Sequence, residues 1–438
     1  MLTRAILSLL TFSLLAAAQS PAKDRHVIVI SIDGFPAYAL NDATLPVPHL
    51  RSLIRNGVAA QSMKPVNPTV TWPNHTSLVT GNSPARHGLL YNGAPVRGAS
   101  GQPVRVEPFV PKVELVRGTT VYDVAHKAGL TTAEVDWVAI QDAPTITWAF
   151  AEYGYPDRPI EKEMVAAGLA TEQQIKEFRK LPITMRDEIW TLAGEHLIAK
   201  HKPNLLLFHL LTTDSVQHRY GARSLAGYTA LSHADAKVGR LIEATRRAGI
   251  YDRTTFIVVS DHGFLTYTRQ IAANALLAQK GLDKSAFVIS EGGTAMVYVT
   301  RPEGKEATVA ALKTAFTGVE GISRIVTPSE FAALGYPDPA KEPRMADLVL
   351  AAADNYSFSG TATGDVITHS PAGSTPGAHG YLHDHPDIQA IFIASGRGIK
   401  KRATLGPIVN LDIAPTIAKL LGVTLPDTEG KPLSGILQ

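Results

Sequence analysis

The chain has 438 residues, no cysteine and a formal net charge of only +3, from 42 basic and 39 acidic side chains. The lack of cysteine excludes disulfides, thiolate metal sites and cysteine nucleophiles, so any metal must be held by oxygen and nitrogen atoms. The near balance of charge argues against a nucleic-acid-binding surface, because such surfaces carry an excess of Lys and Arg.

The first eighteen residues have the composition of a secretory signal peptide. Arg4 supplies the positive start, an apolar run covers residues 5–15, and the small residues at 16–18 suit cleavage. The apolar run is short for a membrane-spanning helix, although an uncleaved anchor is the alternative. No later stretch has the length and apolar composition of a bilayer span. We therefore expect a mature chain of residues 19–438 that is periplasmic or secreted and has no transmembrane segment.

Apolar runs of strand length recur along the chain and are separated by helical patterns. The runs are residues 26–32, 205–211, 255–260 and 390–394. They predict strands buried on both faces of a mostly parallel sheet. Residues 233–248 have apolar side chains at helical spacing before Gly249. Alternating strands and helices predict an α/β fold with helices flanking the sheet. Residues 264–372 interrupt this alternation of strand and helix patterns, and we interpret them as an insertion or cap on the catalytic domain.

Side chains of metal-ligand type follow three of these runs. Asp33 follows the first run, Asp214 the second, and Asp261 with His262 the third. In open α/β sheets, ligands bind beyond the carboxyl ends of the strands, so one edge of the sheet is expected to gather these side chains. Asp214 and His218 are four residues apart, a spacing that on a helical turn directs both to one face. Taken alone, such a pair is more often a surface pair.

Two further segments supply a histidine and a threonine. His379 lies in GAHGY, where glycines allow the backbone to approach an ion, while nearby His383 and His385 are competing candidates in a segment that reads as an exposed turn. Thr71 in NPTVTWPNH comes at a predicted helix start, where free N–H groups favour a phosphate. The alternative for Thr71 is a structural role as the N-cap of the helix. The alternative for Asp261 is a structural role in a turn or helix cap, where it accepts hydrogen bonds from backbone N–H groups. Three carboxylates, three imidazoles and one hydroxyl are what a two-metal hydrolytic site needs.

The chain resembles the nucleotide pyrophosphatase/phosphodiesterase family of the alkaline phosphatase superfamily in an ordered series of motifs: IDG, PTVTWPNH, SLVTG, HGLLYN, TDSVQH, SDHG and GAHGY. These motifs cover nearly the whole mature chain. The resemblance implies an alkaline phosphatase-like fold and two Zn²⁺ ions per chain. It implies that one ion is held by Asp214, His218 and His379, and the other by Asp33, Asp261, His262 and the Thr71 oxygen.

The resemblance also implies the roles of three residues around the helix start. Thr71 is the implied nucleophile, which forms a phosphothreonine with a small-molecule phosphate diester. Asn92 is implied to contact a non-bridging phosphoryl oxygen, together with the backbone N–H that follows the nucleophile. Trp72 takes the position of an aromatic residue that flanks the leaving-group or nucleobase pocket. The resemblance therefore predicts a secreted zinc phosphodiesterase.

Departures from related families narrow the expected chemistry. Sulfatases have a Cys or Ser followed by a Pro and an Arg, where this chain has Thr71, Pro73 and His75. One group of secreted monoesterases carries Lys-x-Arg where this chain has Gln141 and Ala143. A dianionic monoester loses charge stabilisation without those cations, which favours diesters. A phosphomonoesterase, a phosphonate hydrolase or phosphomutase, and a non-enzymatic metal-binding secreted protein are the alternatives.

Overall fold

The computed structural model describes residues 23–438, so the predicted signal peptide at residues 1–18 lies outside the described residues. The strands are β1 (His26–Ile32), β2 (Gly57–Ala60), β3 (Met63–Lys64), β4 (Ala94–Val96), β5 (Arg105–Glu107), β6 (Thr132–Val135), β7 (Trp148–Phe150), β8 (Leu205–Leu210), β9 (Thr254–Val259), β10 (Leu265–Thr266), β11 (Arg269–Ile271), β12 (Ala286–Ser290), β13 (Thr294–Val299), β14 (Ile322–Val326), β15 (Leu348–Ala352), β16 (Tyr356–Phe358), β17 (Ile367–His369), β18 (Gly377–Ala378), β19 (Phe392–Gly396), β20 (Ala403–Leu405) and β21 (Ile408–Val409).

The α-helices are α1 (Ala37–Leu40), α2 (Pro48–Arg55), α3 (Thr71–Thr80), α4 (Pro84–His87), α5 (Lys112–Leu115), α6 (Val121–Lys127), α7 (Pro159–Ala166), α8 (Glu172–Lys176), α9 (Ile183–His196), α10 (Thr212–Tyr220), α11 (Leu225–Arg247), α12 (Ala273–Gln279), α13 (Lys305–Phe316), α14 (Pro328–Phe331) and α15 (Ile413–Leu421). Within residues 23–438, none of the helices combines the length and apolar composition that crossing a membrane requires.

Eight strands form the central sheet in the order β20-β2-β19-β9-β1-β8-β6-β7. Neighbouring strands are parallel except at β19, which runs antiparallel to β9 and β2. The predicted α/β fold with a mostly parallel sheet is therefore confirmed. The run at residues 390–394 was expected to be a parallel strand, and its direction is a correction. The chain enters β19 from the edge where β9 ends, since the Gly263 N–H donates to the Ile388 carbonyl, and no crossover helix reverses it.

The apolar run of β1 reflects a strand covered on both faces. Ile28, Ile30 and Ile32 pack on one face with side chains of α2, α9 and α11. Val27 and Val29 pack on the other face with side chains of α3, α6 and α15. Successive side chains of a strand point to opposite faces, so burial of both faces requires an unbroken apolar sequence. The prediction from the sequence pattern is confirmed for this strand.

Helix α11 starts earlier than the predicted segment at residues 233–248. The Ser224 hydroxyl accepts a hydrogen bond from the Gly227 N–H at 2.9 Å and caps the first turn. The helix ends at Arg247, and Gly249 follows with a φ of 69°. The C-terminal end of α11 was therefore predicted from Gly249. The N-terminal end was not predicted, because Ser224 lies before the apolar pattern becomes regular.

Residues 264–372 contain a second, antiparallel sheet in the order β12-β13-β15-β14. This sheet has its own hydrophobic core, which includes Val288, Val297, Phe316 and Leu348. The turn between β12 and β13 reaches the segment around His379, because the Gly293 N–H donates to the His379 carbonyl at 2.8 Å. The limits of the inserted cap stay a prediction.

Candidate functional site

The predicted ligand residues lie at one edge of the central sheet. Asp33 directly follows β1, Asp214 is in the first turn of α10 after β8, and Asp261 with His262 follows β9. These three strands are neighbours in the sheet, and their carboxyl ends meet at this edge. His379 arrives from the segment after β18, where its Nδ1 contacts the Thr69 carbonyl oxygen at 3.1 Å.

A first group of candidate metal ligands consists of Asp33, Asp261 and His262. One ligand atom from each lies within 4.8 Å of the others, and all three residues are buried. The His262 Nε2 is 3.4 Å from Asp33 Oδ1 and 3.2 Å from Asp261 Oδ2. Asp261 Oδ1 accepts hydrogen bonds from the N–H groups of Gly34 and His262. Asp261 therefore does act as a turn residue through one oxygen, while its second oxygen faces the group.

A second group consists of Asp214, His262 and His379, whose ligand atoms also lie within 4.8 Å of one another. The Asp214 Oδ1 is 3.2 Å from His218 Nε2 and 3.7 Å from His379 Nε2. The rings of His262 and His379 stack with centroids 3.9 Å apart and an angle of 19° between their planes. The two groups therefore adjoin and share the His262 imidazole, whereas the resemblance implies His218 in the second group. Helix α10 brings Asp214 and His218 together as the i, i+4 spacing predicts.

Most ligand atoms of the two groups lack a hydrogen-bond partner, and this property indicates whether a cation suits them. Four of them are buried and make no hydrogen bond with residues 23–438: Asp33 Oδ1, Asp214 Oδ1, Asp261 Oδ2 and His262 Nε2. Buried polar atoms without partners are costly unless an ion or water satisfies them. Carboxylate oxygens and imidazole nitrogens are a common donor set for zinc. The residues present therefore fit divalent metal ions.

Burial and mutual repulsion shift the ionisation of this cluster. Burial raises the pKa of Asp33 well above its usual value, and the neighbouring charges of Asp261 and Asp214 add to the shift. Burial lowers the pKa of His262 to about 4 and takes that of His379 well below its usual value. Both imidazoles are therefore neutral at neutral pH, which is the form that binds a metal. Divalent cations would offset the repulsion among the three carboxylates.

Thr71 is the first residue of α3 and does not cap it. The N-cap is Val70, and no side chain caps the helix, so the capping alternative for Thr71 is not realised. The His75 Nδ1 contacts the Thr71 carbonyl oxygen at 2.9 Å and lies 3.7 Å from Asp261 Oδ2. The His75 ring therefore connects the start of α3 to the first ligand group.

Asn92 and Trp72 lie together at the start of α3. The Trp72 N–H donates to Asn92 Oδ1 at 2.8 Å. This hydrogen bond fixes the orientation of the amide, because the oxygen must face the donor. The Nδ2 group of the exposed Asn92 forms no hydrogen bond within the described residues and is free to donate to a ligand. The site therefore offers an amide donor close to Thr71.

A cavity of about 200 Å³ adjoins the start of α3, with Trp72 in its wall. Gln141 and Ala143, which carry no charge, also line this cavity. Arg158 reaches the cavity too, but it donates to Asp142 Oδ1 at 3.0 Å. The guanidinium charge in this wall is therefore already paired with a carboxylate.

Sequence reasoning missed the residues that support the ligands. His209 lies in β8, with its Nε2 3.1 Å from Asp33 Oδ2 and its Nδ1 3.0 Å from Asp136 Oδ2. Its ring packs edge-on against His75, with centroids 4.5 Å apart. The sequence feature that could have identified His209 is its position as a lone histidine inside the apolar run LLLFHLL. Asp136 had no comparable signal, because its link to His209 depends on the pairing of β6 with β8.

The two histidines that compete with His379 do not join either ligand group. The His383 Nε2 lies 3.6 Å from Asp384 Oδ1. His385 contacts Asp354 through Nε2 and accepts a hydrogen bond from the Asp387 N–H through Nδ1. The structure therefore favours His379 over both, and the ligand roles of all these residues stay predictions.

Comparison with known proteins identifies the family. Residues 27–382 match the family model for type I phosphodiesterase / nucleotide pyrophosphatase. The chain is similar to ectonucleotide pyrophosphatase/phosphodiesterase family member 7 of Homo sapiens, with 24% identity over 438 residues, 98% of this chain and 87% of the relative. The Mus musculus family member 7 is 22% identical over 429 residues, 96% of this chain and 88% of the relative.

Solved structures agree with the fold. The murine ectonucleotide pyrophosphatase / phosphodiesterase 5 superposes with a TM-score of 0.72 and 20% identity, covering 94% of this chain and 100% of the murine chain. The human ectonucleotide pyrophosphatase / phosphodiesterase 5 gives the same TM-score with 19% identity. The alkaline phosphatase-like fold is therefore confirmed. The family model extends over most of the chain, and the chain belongs to the type I phosphodiesterase / nucleotide pyrophosphatase family of metal-dependent phosphoric diester hydrolases.

Proposed function

We propose that this chain hydrolyses phosphate diesters with two zinc ions and Thr71 as the nucleophile. The observation that carries the proposal is the pair of adjoining ligand groups, whose buried ligand atoms lack hydrogen bonds, in contact through His75 with the start of α3. Membership in the family supports the reaction class. The two ions, the nucleophile and the covalent intermediate are the proposed details.

The proposed ligands divide into two sets that meet at His262. Asp214, His218 and His379 hold one ion, and Asp33, Asp261, His262 and the Thr71 oxygen hold the other. The contact of Asp214 with both His218 and His379 supports the first set. The position of His262 between Asp33 and Asp261 supports the second. When bound, the ions supply Lewis acidity, which favours the ionised form of a hydroxyl or water and neutralises charge on phosphoryl oxygens.

In the proposed reaction, the Thr71 oxygen attacks phosphorus while its hydroxyl proton passes to a water molecule. A new P–O bond to Thr71 forms while the bond to the leaving-group oxygen breaks, which gives a phosphothreonine. Water then attacks the phosphothreonine from the opposite side and loses a proton to solvent. The P–O bond to Thr71 breaks, the Thr71 oxygen takes up a proton from solvent, and the phosphate monoester product is released. The Asn92 Nδ2 and the N-terminal end of α3 stabilise negative charge on the non-bridging oxygens.

The cavity beside Trp72 supports a diester rather than a monoester. A dianionic monoester needs extra cationic partners, whereas Gln141 and Ala143 carry no charge and Arg158 is paired with Asp142. A diester is a monoanion and does not need them. Trp72 provides an aromatic surface for a leaving group or nucleobase.

A relative supports the roles of threonine and of nucleotides. The murine ectonucleotide pyrophosphatase / phosphodiesterase 5 has been solved as an inactive variant, with alanine in place of a threonine, in complex with AMP. An essential threonine in that protein supports Thr71 as the nucleophile here. Its complex with AMP supports testing a nucleotide diester first.

The proposal is tested with Thr71→Ala in zinc-reloaded protein. We expect zinc content to stay near two ions per catalytic site, because Asp and His ligands remain, while diester hydrolysis falls by several orders of magnitude. Thr80→Ala is a matched control, since Thr80 lies in the same helix and its hydroxyl donates to the Thr76 carbonyl. Turnover retained in Thr71→Ala rules out the proposed nucleophile.

A rate panel separates the diesterase from its alternatives. The panel contains a nucleotide diester, a pyrophosphate, a lipid-type diester, a monoester and a phosphonate, each measured with zinc restored after chelation. The proposal requires a diester to react faster than the monoester. A faster monoester indicates a phosphatase, release of phosphate from the phosphonate indicates a phosphonate hydrolase, and no turnover at all indicates a non-enzymatic metal-binding protein.

We also propose that the chain is periplasmic or secreted, with cleavage after residue 18. The composition of residues 1–18 and the description of the relatives as ectonucleotide enzymes support this location. N-terminal sequencing of the protein from its native host tests it. The proposal expects Gln19 as the first residue, and a mature protein that still starts at Met1 contradicts it.

A further inference from the structure

A second cluster of ligand-type side chains lies away from the candidate active site. Glu163 belongs to α7, His196 is the last residue of α9, and His201 precedes β8. Asp214 follows the other end of β8, so the six-residue strand separates the two regions by about 20 Å. The His201 ring also packs against that of Trp148, the first residue of edge strand β7, with centroids 4.5 Å apart and an angle of 35° between the ring planes. The cluster therefore lies at the amino ends of the strands.

The two imidazoles converge on one carboxylate oxygen. The Nε2 atoms of His196 and His201 each lie 2.8 Å from Glu163 Oε2. The other oxygen, Oε1, is 3.1 Å from the Lys200 ammonium. The side chains of Glu163, His196 and His201 remain 25%, 11% and 14% exposed, so water and ions reach them. Lys200 thus holds one oxygen of the carboxylate while the second faces both imidazoles.

An unusual backbone produces this convergence. Residues Leu197–His201 form a π-helical turn directly after α9. In an α-helix, residues five apart project roughly 140° away from each other. A π-helical turn closes between residues five apart, so it brings His196 and His201 to one face. Their ring centroids are 6.0 Å apart. Such turns are rare and frequently occur at functional sites.

We propose that Glu163, His196 and His201 form a separate site for a zinc ion. Two imidazoles and one carboxylate are a known three-ligand zinc set, which water completes to a tetrahedron. Zinc bonds of about 2.0 to 2.1 Å place tetrahedral ligand atoms about 3.3 Å apart, so each Nε2 and Oε2 need to separate by only about 0.5 Å. Binding displaces the Nε2 protons, which move to Nδ1 or to solvent.

The position of the site assigns it a structural role. The ion would join α7 to the connection between α9 and β8, beside edge strand β7. An edge strand has hydrogen-bonded neighbours on one side only, so a cross-link of this kind stabilises the margin of the sheet. The site does not depend on the proposed catalytic ions, because its ligands belong to different elements.

Zinc counting on the full chain tests the proposal. Each protein is stripped with a chelator, reloaded with zinc chloride and dialysed, and zinc per chain is measured by mass spectrometry. We expect His201→Ala and Glu163→Gln to hold one zinc fewer than the wild type, with unchanged diester hydrolysis. His126→Ala, which removes an exposed histidine on α6, serves as the matched control and should match the wild type. Equal zinc content in all four proteins overturns the proposal.

Two further variants distinguish a zinc site from a plain hydrogen-bond cluster. Co²⁺ should quench the fluorescence of Trp148 because the indole ring packs against His201, and Trp148→Phe should lose that part of the quenching. Lys200→Gln removes a cation beside Glu163, so it should tighten zinc binding at this site several-fold. Quenching that is identical with and without Trp148, or zinc affinity that is insensitive to Lys200, contradicts a zinc site.

Discussion

His209 allows a sharp test of how the candidate active site is held in place. Its Nε2 contacts Asp33 Oδ2 at 3.1 Å, and its Nδ1 contacts Asp136 Oδ2 at 3.0 Å. Burial alone lowers the pKa of His209, but the carboxylates of Asp136 and Asp33 raise it well above its usual value. The ring is therefore protonated: Nε2 donates to Asp33 Oδ2, and Nδ1 donates to the Asp136 backbone carbonyl oxygen at 3.1 Å. We expect His209→Phe to keep the ring shape and to remove both hydrogen bonds.

The size of the effect follows from the geometry. Asp33 uses Oδ2 for His209 and directs Oδ1 towards His262, so loss of the His209 hydrogen bond frees the carboxylate to rotate. Residues that orient metal ligands typically contribute about 10- to 100-fold in metal affinity. This corresponds to about 1.4 to 2.7 kcal/mol of binding free energy. We expect the zinc dissociation constant of His209→Phe to rise by that factor.

Zinc affinity is measured by competition with a chromophoric chelator, with circular dichroism as the check on folding. His26→Phe is the matched control, because His26 is also buried and its Nδ1 contacts the Pro203 carbonyl at 2.8 Å at the opposite end of β1. Asp136→Asn should weaken binding less than His209→Phe, since the His209 contact with Asp33 remains. Identical zinc affinity in the His209 and His26 variants refutes the positioning role.

Four other predictions concern the same site and its surroundings. Asn92→Ala should lower kcat for a diester by about 10²- to 10³-fold with unchanged zinc content, because it removes a donor to the developing charge. Trp72→Ala should raise KM for an aromatic leaving group and leave that for an alkyl leaving group nearly unchanged. His379→Ala should lower zinc content in metal analysis, and His383→Ala should not. Burial raises the pKa of Glu291 to about 8. Wild-type stability relative to Glu291→Gln should therefore fall by about 1.4 kcal/mol per pH unit between roughly pH 5 and 8 in urea unfolding, because the folded state holds a proton that the unfolded state has lost.

The sequence alone predicted which ligand residues gather at one edge of the central sheet, because each of them follows a distinct local pattern. Asp33 and Asp261 end apolar strands, and Asp214 with His218 occupies one helical face. Such patterns depend on burial and periodicity alone, which are readable along the chain. The same patterns carried no information about direction, so the antiparallel course of β19 was missed.

Other parts of the site depend on contacts between segments distant in sequence. Asp136 reaches His209 because β6 and β8 are neighbours, a pairing that no local pattern specifies. The cluster around Glu163 was missed for the same reason, since Glu163 and His201 belong to separate elements. His196 and His201 are five residues apart, so α-helical periodicity predicts that they project from different faces of the helix. The π-helical turn that brings them together is a tertiary feature.

Anomalous diffraction at the zinc edge from crystals of the zinc-loaded protein tests the central claim most directly. We expect two peaks about 3.5 to 4 Å apart at the edge of the central sheet where β1, β8 and β9 end. One should lie about 2.0 to 2.2 Å from ligand atoms of Asp33, Asp261 and His262, and the other at the same distance from Asp214, His218 and His379. A single peak at this edge, or no peak within bonding distance of one of the two ligand sets, contradicts the two-zinc account.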